Sequence, residues 1–211
     1  MTAILPLGRP GRTTASRPGR LRTLVTPLWV APCAGHEGVV KMLLERNGVN
    51  VSQGFIDRTP LLLASQRGHE GVVRMLLERS DVSPNNHGWF SISPLFSASL
   101  SGHDGVVKML LEGNEVNPNK GLLGQTPLML ASKNGHEGVV KVFLERKDVD
   151  PIKGYFGRTP LLLASSKGHE GVVRMLLERK DANPHIPDRL HQTLLWWKSQ
   201  GLADAQQPQS R

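Results

Sequence analysis

Apolar positions recur along most of the chain in short helical stripes. Near the C-terminal end, Val172, Val173, Leu176 and Leu177 fall at i, i+1, i+4 and i+5, one face of a helix, while Arg174 and Glu178 fall elsewhere on its surface. Glu170 suits the positive end of that helix, and Arg179 and Lys180 suit its negative end. Asp181, Asn183 and Pro184 forbid its continuation. A shorter stripe runs just ahead, through Leu161, Leu163 and Ala164. Thr159 is a good N-cap for it, Pro160 takes the first helical position, where no N–H is needed, and Gly168 is a natural left-handed stop. The pattern predicts two short antiparallel helices joined by a turn.

That unit returns along the chain. Gly-His recurs with its histidine at 36, 69, 103, 136 and 169, at spacings of 33, 34, 33 and 33. A Thr-Pro or Ser-Pro pair keeps step with it at 26, 59, 93, 126 and 159, and residues 58–79 match 158–179 at 20 of 22 positions. Cutting ahead of the loop glycines gives units 21–53, 54–87, 88–120, 121–153 and 154–186, with a partial sixth at 187–200. No single unit can bury its own stripe, so neighbours must stack into one continuous core. The expected fold class is all-α, a solenoid of stacked helix-turn-helix units with protruding turns or hairpins, over residues 23–200. Residues 1–22 form a basic Pro/Gly-rich tail and 201–211 a polar C-terminal tail.

TPLLLAS at 59–65 and 159–165, TPLMLAS at 126–132 and the recurring GHEGVV resemble the ankyrin repeat over residues 26–186. The near-identical units, ending in MLLER or similar, are similar to the fungal-type arrays common in filamentous-fungal proteins, which are often the sensing end of larger NTPase receptors. In the family a histidine usually stands where this chain has Leu62, Phe96, Met129 and Leu162, and it links neighbouring repeats by hydrogen bonding. Its replacement here trades a polar tie for buried area. Pro32, inside the first helix of unit one, is expected to break or kink it. Trp197 stands where the other units have alanine, so the last helix is expected to splay, with Trp196 and Trp197 lying across the open end as a cap.

Composition narrows the possibilities. The 211 residues carry a net charge of +8, yet residues 1–35 hold five arginines and no acid, and the remainder has 21 Lys and Arg against 18 acids. The basicity therefore belongs largely to one segment rich in proline and glycine, which reads as a disordered tail, with a transit peptide or a phosphate-binding arm as alternatives. A single cysteine, Cys33, excludes an intramolecular disulfide framework and a cysteine-based zinc cluster. No apolar run reaches the roughly 18 residues needed to span a bilayer. The expected setting is cytoplasmic or nuclear, and the expected state a monomer.

Chemistry is sparse. No stretch reads G-x-x-x-x-G-K-[ST], so no phosphate-cradling loop is expected. Histidines one repeat apart are about 10 Å from each other, too far to share an ion, and read as interface and helix-start residues. Cys33 with His36 lacks an orienting acid nearby. Glu45-Arg46, Glu78-Arg79 and Glu178-Arg179 read as solvated helix ends. No catalytic residue, metal or cofactor is expected.

One feature exceeds scaffold. Ahead of each Thr-Pro or Ser-Pro from unit two onward stands a pair of large apolar residues: Phe55-Ile56, Trp89-Phe90, Leu122-Leu123 and Tyr155-Phe156, each following a glycine. In ankyrin proteins these positions project as fingertips and are usually polar. An apolar ladder there either binds a partner or seals upon itself, tip on tip. Arg58, Gln125 and Arg158 from the turns flank it. Gln66, Arg67, Lys133, Asn134, Ser166 and Lys167, at the first-helix ends, complete the concave side where the resemblance places partner contacts. The leading reading is a non-catalytic interaction scaffold that binds a protein. The alternatives are a fragment or relative of the sensing array of a larger fungal NTPase receptor, and anionic-polymer (nucleic-acid) binding through the N-terminal arginines.

Overall fold

A computed structural model describes residues 27–46, 58–85, 92–113 and 115–179. The tails at 1–22 and 201–211, the partial unit 187–200 with Trp196 and Trp197, and the pairs Phe55-Ile56 and Trp89-Phe90 lie outside these residues. Among the described residues there are ten helices in chain order: α1 (Pro27–Ala34), α2 (Glu37–Leu44), α3 (Pro60–Arg67), α4 (Glu70–Leu77), α5 (Pro94–Ser101), α6 (Asp104–Glu112), α7 (Pro127–Asn134), α8 (Glu137–Leu144), α9 (Pro160–Lys167) and α10 (Glu170–Glu178). They stack as pairs in two layers. Each odd-numbered helix packs on the odd-numbered helix of the next unit, and each even-numbered helix on the next even-numbered one.

Each first helix begins and ends as its residues dictate. The hydroxyls of Thr59, Ser93, Thr126 and Thr159 accept from the amides of Leu62, Phe96, Met129 and Leu162 at 3.2, 3.1, 3.2 and 3.3 Å. At the other end Gly68, Gly102, Gly135 and Gly168 take φ of +75°, +83°, +75° and +75°. That turn lets the amide of the following histidine reach back to a helix carbonyl, as His169 does to Ala164 at 3.0 Å. Of the break or kink expected at Pro32, the break does not occur: α1 runs through it to Ala34. At the sixth of eight residues it forfeits a single backbone bond, its ring is buried, and the helix closes with His36 donating to Ala31 at 3.1 Å, as in the other units.

Burial follows the repeat. Ala64, Ala98, Ala131 and Ala164 are fully buried, which lets neighbouring first helices approach closely. Val72, Val106, Val139 and Val172 in the second helices are equally buried. At the positions where the family usually has histidine, Leu62, Phe96 and Met129 are buried and Leu162 half-buried. The lost polar tie is replaced by apolar area of about 25 cal/mol per Å².

Three sets of polar contacts join successive units. The Nε2–H groups of His69, His103, His136 and His169 donate to the carbonyls of Cys33, Gln66, Leu100 and Lys133 at 3.1, 3.2, 3.0 and 3.0 Å. These carbonyls lie in the last turn of the preceding first helix, where intrahelical donors have run out. The acids Glu37, Glu70, Asp104 and Glu137 lie against Gly71, Gly105, Gly138 and Gly171 at the positive start of the next second helix. The third set corrects the reading of the helix-end arginines as solvated. Arg79, Arg146 and Arg179 donate to the carbonyls of Leu44, Leu111 and Leu144 in the preceding unit at 3.0, 2.7 and 3.1 Å. Arg79 and Arg146 also hold Asp81 and Asp148 through paired bonds of 2.8–2.9 Å, which keep those carboxyls below their ordinary range.

Unit three interrupts the arginine series with Gly113. Its φ of −80° suits any residue, and a Cβ there meets nothing within 4 Å among the described residues. By the register of the other units, an arginine at 113 faces the carbonyl of Leu77. Gly113→Arg is therefore expected to stabilise the fold by about 1–2 kcal/mol, through reduced unfolded-state entropy and one new bond. A thermal melt is expected to shift up by about 4 °C. An unchanged or lower midpoint would refute the inter-repeat role given to these arginines.

Candidate functional site: the turn tips and first-helix ends

In units four and five the chain reverses ahead of the first helix in a two-residue hairpin. Leu122 and Gln125 exchange both backbone bonds, at 3.0 and 2.9 Å, and so do Tyr155 and Arg158, at 3.2 and 3.0 Å. The residues between are Leu123-Gly124, with φ of +49° and +76°, and Phe156-Gly157, with φ of +49° and +72°. Two successive positive φ values define the turn whose twist matches a hairpin, and it favours Asn, Asp or Gly at both positions. Glycine supplies the second. The first carries leucine or phenylalanine, at a cost of about 1 kcal/mol or more in backbone strain.

The same two side chains are the most exposed large apolar groups described: Leu123 is 80% and Phe156 86% accessible. Their partners in each pair behave differently. Leu122 is half-buried, and the Tyr155 ring lies against Gly124 of the preceding tip, so that a Cβ there would fall inside the ring. Tyr155 and Phe156 meet edge-on with ring centroids 4.3 Å apart. The two readings of the ladder thus divide by position. The first member of the pair in unit five packs along the stack, and the second member in both units turns outward.

Arg58 and Arg158 beside the tips are exposed and Gln125 is half-buried. At the far end of each first helix, about 12 Å away for eight residues, Gln66, Arg67, Lys133, Asn134, Ser166 and Lys167 are all exposed. They are not all available to a partner. The Asn134 amide donates to Leu100 of the preceding unit at 3.1 Å, and the Ser166 hydroxyl returns to Leu163 at 2.9 Å. Arg67, Lys133 and Lys167 make no ion pair among the described residues, leaving three cations along this edge.

Sequence reasoning missed the asparagine ladder between loops. Asn85 donates to the carbonyl of Glu115 at 2.7 Å. Asn119 donates to that of Asp148 at 2.7 Å and accepts from the Asp150 amide at 2.8 Å. The recurrence of asparagine at 85 and 119 was the available signal. Among the described residues no group of three His, Cys, Asp or Glu could hold a metal ion, and no helix is long and apolar enough to cross a membrane. Cys33 is half-buried, and its backbone oxygen, rather than its thiol, meets the repeat histidine.

A family model for ankyrin repeats (3 copies) matches residues 28–121 and again 95–188. The chain belongs to the ankyrin-repeat family. Proteins of this family are typically non-catalytic and generally mediate protein–protein interaction, and no catalytic family is indicated. No curated protein matches the chain.

Proposed function

We propose that the chain is a non-catalytic scaffold that grips a protein partner with its turn tips and the exposed ends of its first helices. The observation that carries this reading is the pair Leu123 and Phe156, apolar, more than three-quarters exposed, and held at positive φ where asparagine or glycine is intrinsically favoured. Within the fold Leu123 gains nothing from its exposed position and Phe156 only its edge-on contact with Tyr155, whereas a surface that buries both in a partner gains from each. Arg67, Lys133 and Lys167 supply selectivity for acidic groups beside the apolar contact.

The test replaces both tip residues by the one the turn favours. Leu123→Asn combined with Phe156→Asn is expected to stabilise the chain, by about 1 kcal/mol, because asparagine tolerates positive φ. Its capture of specific proteins from source-cell lysate is expected to fall at least about tenfold, two apolar anchors being lost. Circular dichroism and a thermal melt read the first effect and quantitative pull-down the second. Undiminished capture by the stable variant would sink the tip assignment, and unfolding would show the tips to be core.

A further inference from the structure

Unit one exposes a face that every later unit buries. Val39 is 41% accessible, whereas its counterparts Val72, Val106, Val139 and Val172 are all fully buried. Met42 is 61% accessible, whereas Met75, Met109, Val142 and Met175 are only partly so. The polar ties are equally unspent. His36 and Arg46 are exposed and make no side-chain hydrogen bond to another unit among the described residues, and Gly38 has open space where the later glycines receive an acid.

Unit five exposes the complementary face. Among the described residues Gly168 has nothing within 4 Å of a built Cβ, whereas Gly35, Gly68, Gly102 and Gly135 each carry the next unit's histidine ring. Leu177 is 41% accessible, whereas at the same register Leu111 is buried and Leu44, Leu77 and Leu144 are half-buried. Glu170 is the counterpart of Glu37, Glu70, Asp104 and Glu137, which seat on the next unit's glycine, and no such glycine meets it among the described residues. The two faces match by sequence as well. His36–Arg46 differs from His69–Arg79 only by Lys41 for Arg74, and residues 158–179 repeat 58–79 at 20 of 22 positions.

We infer that unit one is a docking face for unit five of a second copy of this chain. The contact continues the established inter-repeat interface across two molecules. His36 meets the carbonyl of Ser166, Glu170 seats on Gly38, Arg46 meets the carbonyl of Leu177, and Val39 and Met42 are covered. Such a contact is heterologous and does not close, so copies add end to end in one long solenoid. The monomer expected from sequence then holds only under dilute conditions.

The experiment is light-scattering mass against concentration for the full chain and two variants, Met42→Glu on one face and Leu177→Glu on the other. Both positions are already solvent-accessible, and circular dichroism confirms that each variant is folded. The wild type is expected to rise to about twice the chain mass or more, while each variant alone stays at the chain mass. An equal mixture of the two variants is expected to form pairs and stop there, because each retains one intact face. This outcome separates head-to-tail docking from a symmetric dimer. A wild type that stays monomeric over the accessible range, as it would if residues 1–26 or 187–200 covered these faces, overturns the inference. So does association that the variants leave unchanged, or a mixture that forms no pairs.

Discussion

Phe143→Ala is expected to cost about 3–5 kcal/mol, the largest effect of any single side-chain truncation proposed. Phe143 is completely buried and heads the fully buried side chains by volume. It lies in α8, which packs on both α6 and α10, so the cavity opens beside two inter-repeat interfaces at once. Stability in a repeat stack is approximately a sum of unit and interface contributions, and a loss at an inner unit weakens the coupling on either side. Thermal unfolding is expected to fall by roughly 10 °C, and amide exchange to quicken more in α7–α10 than in α3–α4. The register supplies a control. Leu76, Leu110 and Leu176 occupy the same position in other units and are buried there. Phe143→Leu is therefore expected to cost less than half as much, at about 1.5 kcal/mol. Equal losses for alanine and leucine would mean that aromatic shape, not filled volume, holds this interface.

Gly135→Ala and Gly168→Ala are expected to differ although the two glycines share φ of +75°. Both substitutions incur the strain of a left-handed alanine, about 1–2 kcal/mol. At Gly135 the new methyl also collides with the His169 ring and pushes it off the carbonyl of Lys133, which it meets at 3.0 Å. That bond is exposed and worth about 1 kcal/mol. Gly135→Ala is thus expected to lose about 2.5 kcal/mol by denaturant titration at low protein concentration, against about 1.5 for Gly168→Ala. In a background carrying His169→Ala the two alanine substitutions are expected to converge, because the clash has been removed. Persistence of the gap would show that the histidine ring is not what the glycine makes room for.

These predictions draw on features with unequal visibility in the sequence. The paired helices were legible almost residue by residue, because caps, left-handed stops and apolar stripes are local properties that recur in step. Thr159, Pro160 and Gly168 each act where their chemistry places them. The apolar tip pairs were legible as well, because large apolar residues at a position the ankyrin family usually keeps polar stand out against five aligned units. Their division was not. Leu123 and Phe156 face outward because the hairpin twist puts the second residue of each pair at positive φ, while Tyr155 folds onto Gly124 one repeat away. The break considered at Pro32 shows the opposite case. A local penalty of one backbone bond was weighed without the burial that offsets it.

By itself, the sequence determined the repeat period, the helix boundaries and the family, since these depend on residues close together along the chain. Only the tertiary structure decided which polar groups serve the stack and which face outward. Arg79 and Arg146 reach carbonyls 35 residues away, Asn134 is committed to Leu100, and Arg67 has no such engagement among the described residues. The reason is that a solenoid brings each unit against its neighbour one period removed, so the partner of a side chain is set by the stacking register and not by the residues beside it.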